Sequence, residues 1–191
     1  MVPISKTRLE AFSDAVLAVI ITIMVLELRV PHGTSLDALL PLLPVILGYC
    51  LSFIYVGIYW NNHHHMLHAT QHIDGSIMWA NLHLLFWLSL VPFVTGWASE
   101  NHFAALPVAM YGVVLLMAAI AYTILQWRII ARGGAESLLA RAVGHDLKGK
   151  ASIVLYAVAI PAVLASPWIS VGVYVLVAFL WLVPDRRIEK G

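Results

Sequence analysis

Apolar residues in this chain come in long blocks broken by short polar or proline-rich interruptions. The pattern predicts spans at Arg8–Val30, Leu39–Trp60, Ile77–Trp97, Phe103–Ile130, Ala151–Ala165 and Trp168–Val183. A bilayer-crossing helix needs about 20 mostly apolar residues. The first four blocks meet that length, while the last two, parted by Ser166 and Pro167, read as a short helical hairpin. Pro161 is expected to kink the fifth, because proline lacks an amide donor and clashes with the preceding turn. The expected fold is an all-α integral membrane protein, six transmembrane helices in a single domain over residues 1–191.

Within the first block the polar positions are not random. At 100° per residue, Val19, Thr22, Ile23 and Leu26 fall on one stripe that Arg8 and Phe12 extend, while Glu10, Ser13 and Asp14 point elsewhere. An aliphatic stripe on a membrane helix ordinarily faces lipid, a threonine there often bonds its own i−4 carbonyl, and Arg8 at a span end suits a snorkelling anchor. Asp14 is different. It lies a full turn inside the span with Glu10 four residues before it, a like-charge spacing that is unfavourable without a cation or donor. A carboxylate in lipid is costly, so Asp14 is expected to face protein, with Arg8, Asn81 and His83 as candidate donors.

Composition strengthens the membrane reading: 61% of the 191 residues are hydrophobic and 11% charged, against about 45–50% apolar in soluble domains. A net charge of +1 argues against a nucleic-acid partner. The single cysteine, Cys50, excludes an internal disulfide. Lys6 and Arg8 precede an apolar run as in a signal peptide, yet Glu10 and Asp14 interrupt its start and no small-residue cleavage site follows, so the segment is expected to be retained. Of the 11 Lys and Arg residues, all but Arg29 fall on one side of the six-span arrangement. By the positive-inside rule both termini and the loop around Arg141 are then cytoplasmic, in a multi-pass protein of the cell membrane. Trp60, Trp97, Trp127, Trp168 and Trp181 lie near expected span ends, as interfacial aromatics do. The stretch "ARGGAESLLARAVGHDLKGK" reads as a glycine-broken connector with a short surface helix.

Arg8, Phe12, Ser13 and Asp14 spell R-x-x-x-F-S-D, and the following "AVLAVIITIMVLEL" resembles the first helix of the transmembrane protein 175 family of potassium channels. "NLHLLFWLSLVPF", from Asn81 to Phe93, is also similar to that family; after Trp97 the likeness is one of topology. The resemblance implies a homotetramer of six-helix chains, embedded in the bilayer, with helix one lining a central pore permeable to potassium. It implies that Val19, Ile23 and Leu26 form the constriction, with Val19 where Ile or Leu is more usual, and Thr22 a polar ring. It further implies that the F-S-D end, with Arg8, Phe12, Ser13, Asp14, Asn81 and His83, is held by hydrogen bonds to neighbouring helices that orient helix one. No cofactor is implied beyond permeant potassium.

The chain contains no T-V-G-Y-G carbonyl filter. Four branched aliphatics around an axis make a hydrophobic gate that can dewet and that penalises the more tightly hydrated sodium ion, giving moderate selectivity.

Other chemistry competes. "NNHHHMLHATQH" gathers His63, His64, His65, His68 and His72 at the end of span two. If helical, His64, His68 and His72 share a face at a spacing able to chelate zinc or nickel; interfacial histidines without a ligand are the commoner outcome, and pH sensing is a further option. A proton- or ion-coupled transporter would use Asp14 and Glu10 as relay groups, although no inverted repeat or pair of broken helices is evident. An enzyme is not expected, because no nucleophile–base pair or metal triad stands out.

Overall fold

Helix α1 runs from Lys6 to Leu26, four residues short of the expected end. Pro31 bars Val30 from the helix, since the residue before a proline is driven out of the helical region, and the chain already leaves the helix at Glu27, its C-cap. The computed structural model describes residues 5–70, 73–134, 137, 139–140 and 146–182. A 3₁₀ turn over Leu36–Leu42 holding Pro41 leads into α2, Leu43–His68, whose Pro44 sits at the first turn, where its missing N–H costs nothing. Two elements follow where one span was expected: α3, Gly75–Ser89, and α4, Val91–Glu100. Pro92 causes the break, because it cannot donate to the carbonyl one turn back; the amide of Leu90 bonds the carbonyl of Trp87 instead. Next come α5, Ala105–Gly133, then α6, Leu147–Ala162, and α7, Pro167–Leu182. Pro161 lies one residue from the end of α6, so it closes that helix instead of bending its middle.

The protein is thus all-helical among the described residues. Four helical stretches are long and apolar enough to cross a membrane: Lys6–Leu26, Leu36–His68, Gly75–Glu100 and Ala105–Gly133. The α6–α7 hairpin completes six, with 16 residues in each arm. The connector after Gly134 lies mostly outside the described residues.

Helix α5 is the scaffold. It packs against α3, α4, α6 and α7, and its Ala118, Ala121 and Leu125 are fully buried, small residues letting helices approach closely. Gly112 serves the same end at the α5–α7 contact, for a Cβ there would strike the Tyr174 hydroxyl. Buried hydroxyls tie the bundle together. Ser52 lies 2.6 Å from the Thr95 hydroxyl and 2.9 Å from that of Tyr111, Tyr156 donates to Tyr55, and Tyr55 donates to the carbonyl of Tyr174. Helix α1 stands at the margin, packed on α2, α3 and α4. That leaves half of its circumference uncovered.

Candidate functional site

The covered half of α1 carries Leu9, Ser13, Leu17, Ile20 and Met24, all buried. The other half carries Phe12, Val19, Ile23 and Leu26, exposed on the chain by 51%, 54%, 43% and 81%. Thr22 lies on the same exposed half and spends its hydroxyl on the carbonyls of Ala18 and Val19, 3.1 and 2.9 Å away. The stripe read from the sequence is therefore one continuous open face, which nothing among the described residues covers.

What holds that face outward is a set of contacts at the start of α1. Ser13 is fully buried and gives its only proton to the carbonyl of Leu9, at 2.8 Å. Its oxygen must then accept, and Asn81 Nδ2 on α3 donates to it at 2.9 Å. This fixes the amide orientation, so Asn81 Oδ1 faces His63 on α2 and accepts from its Nε2–H at 2.6 Å. The result is a directed chain, His63 to Asn81 to Ser13 to Leu9, joining three helices with every buried group satisfied. Buried polar networks of this kind specify one arrangement when complete.

Asp14, expected to face protein, is instead exposed on this chain, and it is held separately from the buried network. The indole N–H of Trp60, on α2, donates to its carboxylate at 3.0 Å. Lys6 lies 3.8 Å from Glu10 and donates to the carbonyl of His68 at 2.8 Å, pinning the start of α1 to the end of α2; a cation beside the last carbonyls of a helix also suits its dipole. The two acids four residues apart therefore each have a partner of their own. At the far end of α1, Arg29 pairs with Glu100 at 2.8 Å.

Several expected contacts are absent. Arg8 is exposed and its guanidinium makes no hydrogen bond or ion pair among the described residues, so it does not serve Asp14 there. Asn81 serves Ser13, not Asp14. His83 accepts from the indole of Trp87 on its own helix, at 3.0 Å, and stays outside the network. Phe12 is exposed and contributes no hydrogen bond. Conversely, Trp60 and His63 were missed as members. The sequence pattern ends span two at Trp60 and makes it an interfacial residue; α2 in fact continues to His68. Trp60 is 46% exposed on the chain, so the available signal is only that an indole N–H at the membrane edge can donate to a nearby carboxylate.

The histidine-rich stretch is helical through His68. His64 stacks on both Trp60 and His68, with ring centroids 6.1 and 6.2 Å apart, and His65 sits edge-on to His64 at 5.7 Å. His72 lies outside the described residues. Among those described, no three histidine, cysteine or acidic side chains converge as a metal site.

Comparison with known proteins places this arrangement. A potassium channel of Chryseobacterium is 56% identical over 187 residues, covering 98% of this chain and 97% of that one. The family model described as "Endosomal/lysosomal potassium channel TMEM175" matches residues 8–92. The chain belongs to the TMEM175 family. A potassium channel of Chamaesiphon minutus in that group is 32% identical over 186 residues, 90% of each chain. The crystal structure described as a lysosomal potassium-selective channel TMEM175 homolog from the same organism superposes with a TM-score of 0.82 at 28% identity, covering 94% of this chain and 97% of that one. The TMEM175 match over residues 8–92 takes in nearly all of α1, then α2 and α3, and the first two residues of α4. Those are the helices that carry the Ser13–Asn81–His63 chain and the Asp14–Trp60 bond.

Proposed function

We propose that the protein is the subunit of a homotetrameric, potassium-permeable cation channel of the cell membrane, with α1 lining a central four-fold pore and both termini in the cytoplasm. Val19, Ile23 and Leu26 form its hydrophobic constriction and Thr22 a polar ring within it. The observation that carries this reading is the open face of α1: an aliphatic stripe stands uncovered on a helix whose opposite face is locked to α2 and α3 through polar side chains. A helix that merely met lipid would not need a buried three-helix network to set its rotation. The relatives' names, potassium channels of two bacteria, supply the permeant ion. With no carbonyl filter in the sequence, selectivity rests on the dehydration cost of a narrow apolar neck, which falls more heavily on sodium than on potassium.

The transporter reading loses ground on the same contacts. Glu10 and Asp14 are engaged with Lys6 and Trp60, and the buried chain runs in one donor direction from His63 to Leu9, so passing a proton along it would require every member to reverse.

The test is a bilayer recording of wild type and Ile23→Asn under bi-ionic potassium and sodium. Amides in place of butyl groups should wet the neck, raising conductance and lowering the potassium-to-sodium permeability ratio. An unchanged ratio in a well-assembled tetramer would return the stripe to lipid and move the pore to another helix.

A further inference from the structure

We infer that His64 and His68 form an open, two-imidazole site for a divalent transition-metal ion of the zinc or nickel class on the outer face of α2. This stands apart from the permeation reading, since it requires only the helix and its two side chains.

The backbone provides the spacing. Because α2 continues unbroken to His68, residues four apart lie one turn above the other on the same face, and the two rings stack with centroids 6.2 Å apart and planes within 19°. Both side chains are exposed, and neither ring makes a hydrogen bond among the described residues. Their nitrogens are therefore available, which is not true of His63, whose Nε2–H is given to Asn81. Stacked parallel rings do not yet converge on one point. On an exposed face each needs only a rotation of its side chain to do so, and no buried packing is lost.

Charge favours a dication there. Trp60, stacked on His64 at 6.1 Å, holds the Asp14 carboxylate through its indole N–H, so an acid lies at the foot of the ladder. Lys6, at the carbonyl of His68, is already close to Glu10. His65, edge-on to His64, and the buried His63 beside it are the other histidine neighbours on α2. Imidazole nitrogen suits zinc, nickel and copper in preference to magnesium or calcium. No third protein ligand converges among the described residues, so water completes the coordination. The proton competes with the metal for the same nitrogens, and binding should weaken as the histidines protonate.

Calorimetric titration of NiCl2 and of ZnCl2 into tag-free, detergent-solubilised protein decides the matter. Wild type should take up one ion per subunit, more tightly at pH 8 than at pH 6. Either His64→Ala or His68→Ala should raise Kd at least about tenfold, while His65→Ala leaves it unchanged. Bound Cu(II) should show two nitrogen couplings by electron paramagnetic resonance and one in each of the first two variants. Wild-type affinity in both single variants, or an equal loss in His65→Ala, would overturn the assignment; the exposed positions leave folding intact.

Discussion

Trp60 donates its indole N–H to Asp14 at 3.0 Å, across 46 residues of sequence, and so fixes the middle of α2 to the first turns of α1. The bond is charge-assisted, a class that contributes about 1.5–3 kcal/mol in general, and partial exposure of both groups puts it at the lower end. Trp60→Phe keeps a ring against His64 and removes the donor. It should lower thermal stability of the detergent-solubilised oligomer and reduce potassium flux. Asp14→Asn keeps an acceptor oxygen and should do less harm than Trp60→Phe; because no cation pairs with Asp14 among the described residues, its removal strands no charge. Melting curves followed by size-exclusion chromatography compare the two.

Asn81 is the middle of the buried chain, and Asn81→Ala takes the acceptor from His63 and the donor from the Ser13 oxygen, which keeps only its bond to the Leu9 carbonyl. An unsatisfied buried group costs about 1–3 kcal/mol, so the expected loss is at the upper end of that range or above. In a double-mutant cycle, His63→Ala and Asn81→Ala should be non-additive by about 0.5–3 kcal/mol. Additivity would mean that the two act independently.

At the α5–α7 contact, Gly112→Ala drives a methyl group into the Tyr174 hydroxyl, which at present donates to the carbonyl of Val108 at 3.2 Å. Overpacking of this kind costs about 1–3 kcal/mol. Tyr174→Phe, by removing the struck atom, should recover part of the loss in the double variant, measured again by thermal unfolding.

Asp74 caps α3, and its carboxyl is held below the usual carboxylate range chiefly by the backbone N–H of Ile77, with the Ser76 hydroxyl and Arg132 assisting. A depressed folded-state pKa adds stability that is full above the unfolded value and lost as pH falls through the folded one. Asp74→Ala should therefore cost about 1 kcal/mol near neutrality, with the gap between variant and wild type closing below about pH 4. Melting temperatures across a pH series from 3 to 7 check both the size and the sign.

Much of this molecule follows from its sequence alone, for a reason peculiar to lipid. With no water to satisfy backbone groups, an apolar run of sufficient length has to be a helix, so the six-helix plan and the shared face of Val19, Ile23 and Leu26 were legible in residue order, whereas the exposure of Asp14 on the chain was not. Proline effects shifted ends and broke α3 from α4 at Leu90, because one missing donor acts locally on a pattern whose hydrophobicity is unchanged. The partners of the polar groups were decided only by the tertiary structure. Whether Asp14 meets Arg8 or Trp60, and whether Asn81 serves Asp14 or bridges Ser13 to His63, depends on the rotation and depth at which helices settle against one another. A hydrogen bond needs its atoms within about 3 Å and aligned, and hydrophobic periodicity, which places a side chain on a face, carries no information at that precision about what stands opposite.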